Sequence, residues 1–316
     1  MSAKSIGAAT AATSARALGV VGLGSMGLGA ALSALSRGVP TWGLDTRPDP
    51  VLRLTEAGGH AAASLAEMAA HCDLVVVLVV NAAQTEQVLF GAGGLATSMR
   101  PGTVVACSAK VDPALPPRWA ARLAAQGLHF IDAPVSGGPK KAAAGEMTVM
   151  ASGAAAAFEA AGGLLDAIAG KVYRLGEVPG VGSTVKMVNQ HLAGVHIAAA
   201  CEAMALGLRA GADPGALYEV ICNSAGSSWM FQNRVPHILA GDYTPLSAVN
   251  IFIKDLGIVL DAARGMAFPL PLAAAAHQLY LATAAAGHGA EDDSAVIKFY
   301  ASLAGLKLPG AADGAG

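Results

Sequence analysis

Through the first 175 residues, short β-branched runs alternate with stretches whose apolar residues recur at helical spacing. The runs are ALGVVGLG, PTWGLD, DLVVVLVV, TVVAC, LHFID, MTVMASG and KVYRL. Between several of them lie segments such as MGLGAALSALSRG and PDPVLRLTEAGG. Strand-helix alternation predicts βαβ units and a mainly parallel sheet with helices on its faces. The continuous Val/Leu run of residues 74–80 predicts a central strand buried on both sides. After Gly182 the strand-like runs stop and long Ala/Leu/Met segments take over. The expected fold is therefore α/β, a doubly wound parallel sheet followed by a second, all-α domain. The boundary falls at VPGVG, residues 178–182. It separates an α/β unit, 17–180, from a helical unit, 181–310. Residues 1–16 and the end of the tail GAADGAG read as disordered. A first long helix is predicted to start at Ser183 as its cap and to end near Gly211, and a second to start at the Asp213-Pro214 cap.

The first strand runs directly into GLGSMG, residues 22–27, and then into a helical stretch. Gly22, Gly24 and Gly27 stand in the G-x-G-x-x-G spacing of a Rossmann-type dinucleotide site, in the required strand-to-helix context. Gly22 allows the tight turn, Gly24 lets the backbone approach a pyrophosphate, and Gly27 lets the helix sit close to the strand. The intervening Leu23, Ser25 and Met26 bring their N–H groups to the helix N-terminus, where an anion is favoured. Asp45 follows about 20 residues later, at the end of the second predicted strand. A carboxylate there accepts ribose hydroxyls and repels a 2′-phosphate, which favours NAD over NADP. Arg47 pulls the other way, since an arginine nearby can hold that phosphate.

GSTVKMVNQHLAG, residues 182–194, places Lys186, Asn189 and Gln190 at i, i+3 and i+4 on one face of an apolar helix. Taken alone, the lysine reads equally well as a snorkelling surface residue. Ser136, Gly137 and Gly138 are small and consecutive just after a predicted strand. Their N–H groups and the serine hydroxyl are able to converge on a carboxylate, although an ordinary glycine-rich turn has the same composition. Lys140 and Lys141 add positive potential or are simply solvated.

Composition excludes some partners and compartments. The formal net charge of -2 gives no basic footprint for nucleic acid or an anionic membrane. Neither nucleic acid nor a membrane is expected as a partner. No unbroken apolar run reaches the roughly 18 residues of a membrane span; the run after His191 is interrupted by His196 and Glu202. Cys72, Cys107, Cys201 and Cys222 form no CxxC pair, and no histidine cluster with metal spacing lies near them. They read as reduced, mostly buried thiols of a cytoplasmic protein, and no metal is expected.

Four blocks in order, GLGSMG at 22–27, DAPVSGG at 132–138, GVGSTVKMVNQ at 180–190 and IKDLG at 253–257, resemble the β-hydroxyacid dehydrogenase family. Within that family the wording is most similar to the bacterial branch that oxidises L-threonate, in VVNAAQTEQVLFG, GEMTVMASG, LAGVHIAAACEAMALGL and WMFQNRVPHILAGDYTPLSAV. The resemblance implies NAD as cofactor, a homodimer or homotetramer, and oxidation of a short polyhydroxy acid, L-threonate to 2-dehydro-L-erythronate. It implies Lys186 as the catalytic acid/base and Asn189 as a substrate ligand. Ser136, Gly137 and Gly138 would hold the substrate carboxylate, and Val80, Asn81 and Lys254 would lie at the cofactor, with Asp255 beside Lys254. His191 and His196 are candidate ligands of further hydroxyls or plain helix residues; Trp229 and Phe231 close the cleft or pack at a subunit contact. Related enzymes acting on 3-hydroxyisobutyrate or tartronate semialdehyde share these residues. A nucleotide sensor without chemistry is the alternative of another class; imine reductases share the two-domain plan but lack a reason for Lys186. Two places depart from the family: Val79, Val80 and Asn81 stand where it commonly has Leu-Pro, and a second departure matters more. Where it has Ser-Thr-x-x-Pro, this chain has CSAKVDP. Anchoring on Pro113 puts Ala109 and Lys110 in those places; a slip of one residue puts Ser108 opposite the serine. Either way the threonine beside the nicotinamide is missing.

Overall fold

The computed structural model describes residues 16–310. The disorder expected at the two chain ends falls on residues outside that range, apart from Arg16 and Gly310. Six strands form one fully parallel sheet: β1 (Leu18–Val21), β2 (Thr41–Leu44), β3 (His60–Ala61), β4 (Leu74–Val77), β5 (Val104–Cys107) and β6 (His129–Asp132), in the order β3-β2-β1-β4-β5-β6. The order reverses between β1 and β4, and the crevice outside the strands' carboxyl ends at such a switch point is where open α/β sheets bind ligands. β4 is fully buried, as its run of β-branched residues requires, and it ends at Val77; Leu78, Val79 and Val80 turn outward into the crevice loop.

MTVMASG and KVYRL do not join this sheet. They become β8 (Met147–Ala151) and β9 (Ala169–Arg174), which pair in parallel and take up β7 (Val135–Ser136) antiparallel to β8. A single bridge from Asp132 to Ser152 fastens this small sheet to the end of β6. β3 and β7 are two residues long, too short to show a period of two in the sequence.

From Val181 on, the chain is helical: Val181–Arg209, Pro214–Cys222, Trp229–Ala240, Val249–Gly265, Pro271–Thr283 and Val296–Ala304 are its α-helices. Asp213 caps the second of these as expected, accepting from the Ala216 N–H at 2.8 Å. The 29-residue helix Val181–Arg209 is the axis on which the others pack, with Ile197, Cys201 and Met204 wholly buried against Val235, Leu256, Tyr280 and Ile297. Its best 18-residue window has a mean hydropathy of 1.4, enough by length and composition to cross a membrane despite the interruptions at His196 and Glu202. In this fold 39% of that window is buried, and part of its apolarity packs in the helical core. The described cysteines are unpaired, and burial pushes the Cys72 and Cys107 thiols up to about 12.

Candidate active site

The glycine turn has the shape the spacing predicted. Gly22 has φ of +90°, and a Cβ there would lie 2.7 Å from the Leu78 carbonyl oxygen. A Cβ on Gly27 would lie 1.9 Å from the Gly22 oxygen, so the helix Gly27–Ser36 starts directly on the turn. Gly24 differs: nothing but the tip of Arg47, at 4.0 Å, would meet its Cβ. That open flank leaves room for a ligand's close approach. Met26 at the helix start offers no side-chain acceptor and the first turn holds no acid; the Leu28 N–H is taken by the Gly24 carbonyl at 3.0 Å and the Leu23 N–H by Asp45, which leaves the remaining N–H groups of the turn for an anion. Asp45 Oδ2 accepts from the Leu23 N–H at 2.7 Å, and the acid therefore also braces the turn. Its other oxygen takes the Arg47 N–H at 2.9 Å and the Arg47 guanidinium at 3.2 Å. Burial would raise the Asp45 carboxyl, but these hydrogen bonds hold it below the usual carboxylate range. Asn81 caps the helix Ala82–Phe90 through Gln84 N–H and lines the crevice, whereas the Val80 N–H is taken by Gln84 Oε1 at 2.9 Å.

The long helix does not begin as expected. It starts at Val181, and Ser183 lies inside its first turn. The cap comes from the sheet: Asp132 Oδ2 accepts from the Gly180 and Ser183 N–H groups at 2.9 and 2.8 Å, and Oδ1 accepts the Ser183 hydroxyl at 2.6 Å. A carboxylate at a helix N-terminus meets both the unpaired N–H groups and the dipole. Burial pushes the Asp132 carboxyl up, against the hydrogen bonds that hold it down. The consequence is positional: three residues beyond Ser183, Lys186 is registered against the end of β6.

Lys186 is buried and faces a cleft lined by Lys110, Pro134, Ser183, Gln190, Asp255 and Ile258. Gly194 makes that possible, because a Cβ there would come within 3.0 Å of Leu256 and Phe252. The two helices thus pack closely and set Asp255 opposite Gln190. Asp255 is the centre of the charge arrangement. Its Oδ2 accepts from Lys110 Nζ at 2.5 Å and Gln190 Nε2 at 2.6 Å, while Lys254 Nζ lies 2.8 Å from Oδ1. Burial would raise Asp255, but the two ammonium groups hold it low. Asn189 donates to Gln190 Oε1 at 3.0 Å, extending the network toward the cleft wall. Lys186 is pushed down to about 7, first by burial, then by the Lys110 ammonium; Asp255 works in the other direction and Lys254 adds a smaller push. A neighbouring cavity shares Lys110, Val111 and Ile258 and adds Asn81, Asp112, Lys254 and Asp261. Lys110 therefore stands where the two spaces meet.

Lys186 thus lines the first of these spaces and Asn81 and Lys254 the second, while Asn189 is tied to the first through Gln190; the glycine turn lies at the end of β1. Ser136 lies in β7, two residues after Pro134 of the cleft wall, and Gly137 and Gly138 have φ of +129° and +74°. Lys140 and Lys141 are exposed. His191 has a buried Nδ1 with no partner, and His196 is half-buried. Phe231 does not close the cleft: it is buried in the helical core, stacked 5.9 Å from Tyr218, while Trp229 is exposed. The sequence reading left Gln190 and Asp255 without a role and saw Lys110 only as a departure. The i, i+4 step from Lys186 to Gln190 was the available signal.

Two family models cover the chain. The NAD-binding domain of 6-phosphogluconate dehydrogenase matches residues 17–176, and the NAD-binding domain of NADP-dependent 3-hydroxyisobutyrate dehydrogenase matches residues 180–300. The chain is 60% identical over 298 residues to L-threonate dehydrogenase of Cupriavidus necator, covering 94% of this chain and 99% of that one. It is 53% identical over 295 residues to the L-threonate dehydrogenase of Escherichia coli K12, covering 93% and 97%. The crystal structure of 3-hydroxyisobutyrate dehydrogenase from Salmonella typhimurium matches with a TM-score of 0.83 at 54% identity, covering 90% of this chain and 99% of that one.

Proposed function

Because the chain belongs to the β-hydroxyacid dehydrogenase family, we propose that it is an NAD-dependent dehydrogenase that oxidises L-threonate at C2 to 2-dehydro-L-erythronate, with Lys186 as the base. The observation that carries the chemistry is a buried lysine with no hydrogen bond or ion pair among the described residues, held near neutrality at the mouth of a nucleotide crevice. Free lysine is protonated at neutral pH and makes a poor base, and a group with a pKa near the working pH is the efficient one. Lys186 takes the proton of the C2 hydroxyl in oxidation and returns it in reduction. Asn189 and the Ser136–Gly138 turn orient the hydroxyl and the carboxylate, which is worth much of the barrier when the geometry is right. The glycine turn would hold the cofactor pyrophosphate, Asp45 its adenosine ribose, and Asn81 and Lys254 the nicotinamide end. When bound, the cofactor supplies the two-electron acceptor. The substrate follows the L-threonate dehydrogenase relatives at 60% and 53% identity. The unpaired thiols support a cytoplasmic setting. The exposed stripe Val181, Val185, Val188 and Leu192 on the long helix supports a homo-oligomer, dimer or tetramer.

The test is absorbance at 340 nm with NAD and L-threonate, D-threonate, 3-hydroxyisobutyrate or D-glycerate. Turnover confined to L-threonate is expected; preference for 3-hydroxyisobutyrate would keep the family and overturn the substrate. A second prediction concerns the cofactor. Asp45→Ser removes the carboxylate and frees Arg47 from its 3.2 Å pair, so the NAD-to-NADP preference in kcat/KM is expected to fall by at least about tenfold, the scale of one charged hydrogen bond. An unchanged ratio would remove Asp45 from the ribose site.

A further inference from the structure

Lys186 has a buried carboxylate near enough to influence it, yet makes no ion pair with it. Asp255 is 1% exposed, and an uncommitted carboxylate in that position would capture the nearest ammonium. Its Oδ2 is already engaged by Lys110 and Gln190, while Oδ1 has the Lys254 ammonium 2.8 Å away but accepts no hydrogen bond from the described residues. These groups arrive from three directions, the loop after β5, the long helix and the helix Val249–Gly265. The charged groups facing Lys186 are thus Lys110 from the first of these and Lys254 and Asp255 from the last, a net positive set; on its own helix its neighbours in the network, Asn189 and Gln190, are neutral. Lys110 also lies in CSAKVDP, the stretch without the threonine that the family resemblance leads one to expect.

We propose that Lys110 is a positioning residue: by occupying one oxygen of Asp255 at 2.5 Å, it denies that carboxylate to Lys186 and leaves the Lys186 amine unpaired for the substrate proton. The inference rests on Lys186 acting as the base, and it goes beyond that reading by naming what keeps the base free. Gln190 has a distinct part, since a neutral amide satisfies Asp255 without adding charge. Lys254 alone cannot replace Lys110, because it meets the other oxygen. Without Lys110, Oδ2 keeps only an amide, and the buried ammonium of Lys186 becomes its natural counter-ion. The downward push of Lys110 on Lys186, second only to burial, agrees with this arrangement.

The test uses the full-length protein with Lys110→Met, Lys110→Gln and Lys110→Arg. Two quantities are followed against pH: acetylation of Lys186 by acetic anhydride in the absence of cofactor, read by mass spectrometry, and kcat/KM for L-threonate with NAD. In Lys110→Met and Lys110→Gln, the labelling midpoint and the acidic limb of kcat/KM are expected to rise together by about one pH unit or more, as an opposite charge brings to an amine. Lys110→Arg is expected to restore both. A midpoint that stays put in the folded Met or Gln variant, or that Arg fails to restore, overturns the proposal. The two readings separate cleanly. A midpoint that moves in a protein without turnover on any hydroxy acid would support Lys110's role and sink the enzymatic reading. Full L-threonate turnover with an unmoved midpoint would do the reverse.

Discussion

Lys186→Ala is expected to lower kcat/KM for L-threonate oxidation by roughly 10²- to 10⁴-fold, the usual contribution of a positioned acid/base, while NAD still binds. The loss should fall on kcat more than on KM, because the proton moves only in the transition state. In the wild type, oxidation should rise with pH through about 7, where the amine loses its proton, and reduction should show the mirror profile. The same burial has a cost in stability. The folded state holds Lys186 with a lower proton affinity than the unfolded chain, so the unfolded chain binds the extra proton and is favoured by it. That penalty is complete well below pH 7 and fades as pH rises through about 7 toward the ordinary lysine value. Lys186→Met is therefore expected to be inactive yet to melt higher than the wild type at pH 6, with the gain shrinking at pH 9. Chemical unfolding at the two pH values measures it. Equal melting at pH 6 would mean that Lys186 is hydrated or paired in solution.

The parallel sheet was legible because its two periods are strong. β1, β2, β4, β5 and β6 each coincide with a predicted run, and the glycine turn lies at the strand-to-helix junction where its spacing placed it. The small sheet was not legible. Nothing in MTVMASG or KVYRL says which sheet a strand joins, since that depends on the two-residue β7 and one bridge at Ser152. The site divided along the same line. Lys186 and Asn189 stood out as polar residues on an apolar helix, while Asn81 and Lys254 were named only through the family resemblance. Lys110 did not stand out, because its partner Asp255 is 145 residues away and pairing at that distance leaves no local pattern. Ser183 was legible as a helix-start residue but not as a second-best cap. A fully buried carboxyl group from β6 reaches the same N–H groups instead. Phe231 fell on the wrong side of its helix for a cleft residue, a choice that the 3.6-residue period leaves open until the neighbouring helix is known.

Asp132→Ala is expected to cost about 3–5 kcal/mol in urea unfolding, because the Gly180 and Ser183 N–H groups and the Ser183 hydroxyl lose their acceptor inside the protein and each unsatisfied group costs about 1–3 kcal/mol. Relaxation and water entry keep the sum below the simple total. Ser183→Ala removes a donor and leaves the two N–H bonds intact, so about 1 kcal/mol is expected there. Asp132→Asn is the sharper variant. It keeps the volume but aims an NH₂ at a cluster of donors, so it should resemble Ala and not the wild type. Activity should fall further than the folded fraction accounts for, since the first turn of the long helix sets where Lys186 meets the sheet. Measured well below the unfolding transition, kcat/KM of Asp132→Asn is therefore expected to drop by about tenfold or more, as misplacement by an ångström does. Stability within 0.5 kcal/mol of wild type would show that the helix start is held by something other than this carboxylate. Full activity alongside lost stability would confine Asp132 to folding and leave Lys186 positioned by the Gly194 contact alone.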